Sequence, residues 1–159
     1  MNIPNNLKHK PVIVAEGYDQ IDGPYAGSSD AQGLSLGLAQ WNDRGSVDIS
    51  AKVWRYTGEK WSRQSEELPL HRVLDLALLI CEAQKHMKES YRFEKLYDPT
   101  NTTIGRVDLQ GGTMAVTINT GNEMIDEDMK LFRDCLSKED ERIGERLTRL
   151  AGVLRELGY

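Results

Sequence analysis

The segment from Leu70 to Cys81 constrains the fold most. Leu70, Val73, Leu74, Ala77, Leu78 and Cys81 recur at spacings of three and four, which sets them on one helical stripe. Leu76, Leu79 and Ile80 add apolar residues on the remaining faces. A helix that is apolar nearly all round needs cover on more than one side, so the pattern predicts a central, buried helix. Pro69 suits its first position, where a missing N–H is an orphan in any case. The second half, Glu82 to Tyr91, turns polar and emerges, and Asp98-Pro99 ends the excursion.

Short strands flank this helix. Pro11 to Ala15 is an apolar run, Leu34 to Trp41 alternates, and Asn42-Asp43-Arg44-Gly45 is a turn. Ile49 to Tyr56 and Trp61 to Glu67 read as a hairpin about Thr57-Gly58-Glu59-Lys60, with Gly58 suited to a type II′ turn. Residues 103–109 and 113–119 form a second hairpin around Gln110-Gly111-Gly112. Residues 1–10 are polar and expected to fray, while residues 17–33 have loop chemistry.

Residues 123–159 read as a helical pair. Asn122 caps a helix running to about Leu136, and Ser137 with Asp140 resembles a capping box that starts another. Ile143, Leu147, Leu150, Leu154 and Leu157 then repeat at four, three, four and three, a heptad-like seam. Two readings stand for it: packing on the chain's own sheet, or self-association into a homo-oligomer. The whole is an α+β fold in one domain, residues 1–159, with a mostly antiparallel sheet built from two hairpins plus N-terminal strands, one long central helix and two C-terminal helices.

Charge and motif content exclude several classes. With 20 basic and 25 acidic residues the net charge is −5, unlike a protein that covers duplex nucleic acid. No apolar run is long enough to span a membrane and no signal-peptide pattern opens the chain, so a cytoplasmic protein is expected. Cys81 and Cys135 are spaced for neither metal nor disulfide framework and read as buried thiols, and His9, His71 and His86 are scattered. Asp19, Asp22 and Asp30 match no calcium loop. No metal or cofactor is expected, and no catalytic motif is present.

Chemistry is concentrated in residues 49–95, the one net-positive stretch, with nine basic and seven acidic residues. The hairpin pairs Tyr56 with Trp61, Trp54 with Arg63 and Lys52 with Ser65, so one face reads Lys52, Trp54, Tyr56, Trp61, Arg63 and Ser65. The opposite face, with Ile49, Ala51 and Val53, is the expected core face. Aromatic planes beside cations suit a ring that carries an anion. Lys52, Trp54, Tyr56, Trp61 and Arg63, with Arg55 and Arg72 as further anion contacts, are therefore candidate ligand-binding residues. A structural cation–π arrangement in the core and a protein interface compete with that reading. A third, enzymatic alternative places an acid–base pair among Glu66, Glu67 and His71.

The stretches WSRQSEELPLHRVLDLALLI (Trp61 to Ile80), GLSLGLAQWNDRG and LKHKPVIVAEGYDQIDG resemble a family of small uncharacterised bacterial proteins classed as a domain of unknown function. That resemblance implies no activity. In size and architecture alone the chain is similar to small phage proteins that sequester nucleotide signals in oligomers, without a shared motif. The expectation is a non-enzymatic, homo-oligomeric binding protein for a small anionic, nucleotide-like ligand. The alternative is a protein–protein interaction or regulatory module, with a partner docked on the aromatic–basic face and the C-terminal seam.

Overall fold

The computed structural model of the chain describes residues 3–43, 45 and 47–159; Met1, Asn2, Ser46 and Arg44 of the expected turn lie outside the described residues. The fold is α+β, as the sequence pattern predicts. The chain falls into two compact units, Met1–Ala77 and Leu78–Tyr159.

The first unit is a four-stranded antiparallel sheet in the order β1 (Lys10–Glu16), β2 (Ala31–Leu38), β3 (Ile49–Arg55), β4 (Glu67–Pro69). The loop between β1 and β2 holds two short 3-10 turns, Tyr18–Gln20 and Gly23–Tyr25. The β3–β4 connection departs from the expected hairpin. Its tip pairs as predicted, Tyr56 with Trp61, and the Ser62 N–H donates to the Arg55 carbonyl. Residues 63–65 then bulge out, so Lys52 lies across from Glu67 and not Ser65, and Ser50 across from Pro69. A two-residue slip preserves the side-chain alternation, and it exchanges a hydroxyl for a carboxylate opposite a lysine.

The buried face of this sheet is the reverse of the expected one. Ser50, Lys52 and Trp54 are buried, while Ala51 and Val53 are half-buried and Ile49 is exposed. The cause is on β2, which turns Gly33, Ser35 and Gly37 toward that side and leaves room for the large side chains of β3. The N-terminal segment, expected to fray, closes over it: Ile3 and His9 are buried. Ile3 sits so tightly on Gly33 that a Cβ there would be 2.8 Å from Ile3 Cδ1.

α1 (Leu70–Glu89) begins in the first unit and continues into the second. The predicted helix is present, but none of its residues is buried, and Leu74 is 61% exposed. The second unit adds a hairpin, β5 (Thr103–Leu109) with β6 (Gly112–Thr117), and α2 (Ile125–Glu156). Its core is Leu96, Tyr97, Ile118 and Met129, with Met87, Ile104 and Ile125 packed around them. The Tyr97 hydroxyl donates to Asp126 at 2.9 Å, and the Lys95 ammonium lies 3.0 Å from the same carboxylate, which fixes the start of α2. α2 is one 32-residue helix where two were expected. The Ser137–Asp140 signature lies in its interior, among the good helix formers Lys138, Glu139, Glu141 and Arg142. Cys81 is half-buried and Cys135 is exposed, so the expected burial of both thiols does not hold. Among the described residues, no helix is long and apolar enough to cross a membrane.

Candidate functional site

The closed face of the four-stranded sheet holds the main polar cluster of the first unit. Alternation along β3 sends Ser50, Lys52 and Trp54 to one side. β2 contributes Ser35, β4 contributes Glu67, and the N-terminal segment contributes His9. The His9 Nδ1 lies 3.0 Å from Glu67 Oε1 and 3.1 Å from Ser50 Oγ, and its Nε2 lies 2.9 Å from Ser35 Oγ. Ser50 donates to Glu67 Oε1 at 2.6 Å, the Gln40 N–H donates to the same oxygen at 3.0 Å, and Trp54 Nε1–H donates to Ser35 Oγ at 2.8 Å.

One proton assignment is consistent with every hydrogen bond of this set. With Glu67 ionised, and so an acceptor only, Ser50, Gln40 and His9 Nδ1–H all point their protons at it. His9 Nε2 then accepts from Ser35, whose oxygen accepts from Trp54. Burial pushes the Glu67 carboxyl up, but donation from Ser50, the Gln40 N–H and His9 outweighs it and holds the pKa below the usual value. Lys52 is shifted down by burial, with the opposing pull of Glu67 smaller. Its Nζ is 3.9 Å from Glu67 Oε2, which has no hydrogen bond of its own, and 4.3 Å from the centroid of the Trp54 ring.

The order Ser35–His9–Glu67 is that of a nucleophile, a base and an orienting acid. His9 is 0% exposed and Trp54 1%, so the relay is sealed from substrate and acts as a polar clamp across strands. From this clamp a chain of edge-to-face rings runs outward. His9 to Trp54 is 5.8 Å between centroids, Trp54 to Trp61 6.0 Å, and Trp61 to Tyr56 5.4 Å.

Of the seven ligand residues expected from the sequence, the fold gathers Lys52, Trp54, Tyr56 and Trp61 in this chain. Lys52 and Trp54 are inside, contrary to the expectation that their face was left for solvent or ligand, and Tyr56 and Trp61 are half-buried. The cation over Trp54 is Lys52, where the hairpin register expected Arg63, because residues 63–65 leave the ladder; Arg63 is exposed. Arg55 points to the opposite face and forks between Asp30 Oδ1 at 2.5 Å and Glu66 Oε1 at 2.6 Å, which raises its pKa further. Donation from Arg55 in turn lowers the pKa of Glu66. Polar clefts of about 520 and 490 Å³ lie on either side of this fork. Arg72 is exposed on α1.

Glu66, Glu67 and His71 do not converge. Neighbours in a strand point to opposite faces, so Glu67 is inside with His9 while Glu66 is outside with Arg55, and His71 is exposed on α1. Asp30 is committed to Arg55, and Asp22 accepts from Ser29 at 2.5 Å. Among the described residues, no group of three or more His, Cys, Asp or Glu is placed to hold a metal ion.

The sequence carried half a signal for the clamp. Ser50, Lys52 and Trp54 share a face by alternation, and a lysine placed inside demands a carboxylate, which Glu67 supplies at the right parity. His9 gave no such signal, since it lies in no strand and its partners are 26, 41 and 58 residues away.

The other face of the sheet is apolar and open. Ile13, Ala15, Leu34, Leu36, Ala51, Val53, Leu68 and Val73 line a groove of about 510 Å³. Ile13 on β1 is 63% exposed and Leu36 in mid-strand 41%.

A family model described as "Family of unknown function (DUF6530)" matches residues 1–159. No curated protein and no solved structure matches the chain.

Proposed function

Because the chain belongs to this family of unknown function, which assigns it no chemistry, we propose from its geometry that it is a homo-oligomeric interaction module whose work is binding. In this reading a second copy covers the apolar face of the four-stranded sheet. The observation that carries it is a pair of uncovered apolar surfaces in one chain: the sheet face around Leu36, and the first half of α1, where Leu74, Leu76, Leu79 and Ile80 are all exposed. Large contiguous apolar patches mark interaction sites, and a stable interface covers roughly 800 Å² per partner. A second copy brings an apolar helix of the same kind to an apolar sheet face. The sealed Ser35–His9–Glu67 relay and the separation of Glu66, Glu67 and His71 weigh against catalysis.

Sedimentation velocity on the full chain tests this. A dimer or larger species at micromolar concentration is expected. Leu36→Asp, at an exposed position that tolerates the change within one copy, should raise the dissociation constant at least 100-fold, about 2.7 kcal/mol. A wild-type chain that stays monomeric overturns the reading.

One observation favours a second reading. The ring chain ends in the half-buried pair Tyr56–Trp61, next to the exposed Arg63, a platform for a ring-bearing anion such as a nucleotide. Mass spectrometry of small molecules released from denatured protein, followed by tryptophan-fluorescence titration with the species found, tests it. Binding that disappears in Trp61→Ala supports the ligand reading. Protein that releases nothing, and whose fluorescence nucleoside phosphates leave unchanged, rules it out.

A further inference from the structure

We propose that Lys52 and Glu67 form an inner subsite that reads the polar edge of a flat ring, as in a nucleobase, when the segment Ile3–Lys8 lifts off it. This rests on the ligand reading of the aromatic chain and says what the inner end of that chain recognises.

Two buried polar groups on the closed face lack the partners that burial demands. Glu67 Oε2 has no hydrogen bond among the described residues. The Lys52 ammonium has only that carboxylate, at 3.9 Å, and the Trp54 ring as partners. Their side chains are 1% and 8% exposed. Buried polar groups are hydrogen-bonded as a rule, and each exception in a native fold has a reason. Glu67 Oε1, by contrast, takes Ser50, the Gln40 N–H and His9.

The spare pair selects its ligand. Oε2 accepts and the ammonium donates, so the complement is a donor and an acceptor side by side. A nucleobase edge carries both on one ring, its N–H toward Glu67 and its acceptor toward Lys52. A phosphate or carboxylate would satisfy Lys52 but set a second negative charge against Oε2. The pair therefore reads a ring edge and not the anion.

Access runs under the N-terminal segment. Ile3 sits where a side chain on Gly33 would stand, its Cδ1 2.8 Å from a Cβ built there, and Gly33 lies across from Trp54. Lys52 leans over the Trp54 ring, 4.3 Å from its centroid. Asn5, Asn6, Leu7 and Lys8 are exposed, and residues 4–8 make no backbone hydrogen bond with the described residues. The segment is thus a strap fastened at two ends. His9 is held by three side chains, whereas Ile3 has its own burial and one N–H donated to Glu16 at 3.2 Å. The strap opens at Ile3 and turns about His9. Gly33 then floors a slot beside Trp54, where a ring can approach the backbone closely.

Tryptophan-fluorescence titration of the full chain with guanosine and adenosine monophosphates tests this. Phenyl phosphate, a ring and anion without the edge, should bind at least about 100-fold more weakly. Glu67→Gln turns Oε2 into an N–H donor and should raise the dissociation constant at least about 30-fold, with circular dichroism unchanged. Ile3→Cys with Gly33→Cys, in a Cys81→Ser and Cys135→Ser chain, pins the strap, since Ile3 Cγ1 lies 3.3 Å from a Cβ on Gly33. Oxidation should abolish nucleotide binding and a reductant restore it. Equal affinity in both forms, or two cysteines that do not join, overturns the strap. If phenyl phosphate binds equally well, or Glu67→Gln changes nothing, Lys52 and Glu67 share only a water; the subsite is then wrong while the Tyr56–Trp61 platform stands. A chain that binds neither nucleotide overturns both.

Discussion

Alanine at Gly37 breaks the pairing of β1 with β2 and costs the sheet unit about 3 kcal/mol, the upper range for forcing atoms into packed space. A Cβ at this position would fall on the carbonyl of Lys10, inside van der Waals contact, and 2.9 Å from Pro11 Cα. Both obstacles are backbone, so no rotamer change relieves them. The ladder slips there, between Pro11 and Ile13, which brings β1 unusually close to β2. Urea denaturation followed by tryptophan fluorescence measures the loss. Gly152→Ala, followed by circular dichroism because Trp41, Trp54 and Trp61 all lie in the first unit, is the control of opposite sign: a Cβ meets nothing within 4 Å there, and replacing a helix-interior glycine should stabilise by about 0.5–1 kcal/mol. A Gly37→Ala protein as stable as wild type would mean that β1 does not sit on β2 as described.

Glu67→Ala should be the most damaging change to the polar clamp, at roughly 3–5 kcal/mol, the cost of leaving a buried charge without its partner. Ser50, the Gln40 N–H and His9 lose their common acceptor, and Lys52 keeps a buried ammonium with no counter-charge. Fluorescence-monitored urea denaturation decides it; a loss below 1 kcal/mol would show that the clamp is incidental. The same carboxylate sets an acid limit. Its pKa is lower folded than unfolded, so the stability it adds is present above the ordinary glutamate pKa and is lost as pH falls through the folded value. Glu67→Gln keeps acceptors for Ser50 and Gln40 but cannot titrate. Its stability should therefore fall less steeply than that of wild type below about pH 4.3, the unfolded glutamate value. Parallel acid limbs would contradict the clamp.

Where local pattern decides structure, the sequence was readable. The spacing from Leu70 to Cys81 located α1, and the tip of the first hairpin fell at Thr57–Lys60. Solvent exposure was not readable in the same way. Ile49, Ala51 and Val53 look like a core face and Lys52 and Trp54 like an outer one. The order is inverted because β2 offers only small residues opposite Trp54 and Lys52, and because His9 and Glu67 satisfy what a buried lysine and hydroxyls require. Neither condition is local to β3. The slip from Ser65 to Glu67 was hidden for the same reason: alternation fixes which face a residue occupies and is silent on how many residues bulge between two paired positions. At Ser137, a cap signature lost to the helix formers that follow it, Lys138, Glu139, Glu141 and Arg142. As for the candidate site, Tyr56, Trp61 and Arg63 remain open to a ligand, and Lys52 and Trp54 are reassigned to the interior.

The clamp also bears on the order in which the sheet is made. Its hydrogen bonds join residues 26, 41 and 58 positions apart. A partly zipped sheet gains none of them, and bears the desolvation of Lys52 and Glu67 as soon as β3 and β4 close. A register error of one residue strands the lysine without its acid. The network therefore acts as a late checkpoint on strand registration. Substitutions in it should accelerate unfolding far more than they slow folding, as expected of contacts formed after the transition state. The lifetime of the native sheet is then set by the polar residues beneath it more than by the apolar ones on its open side.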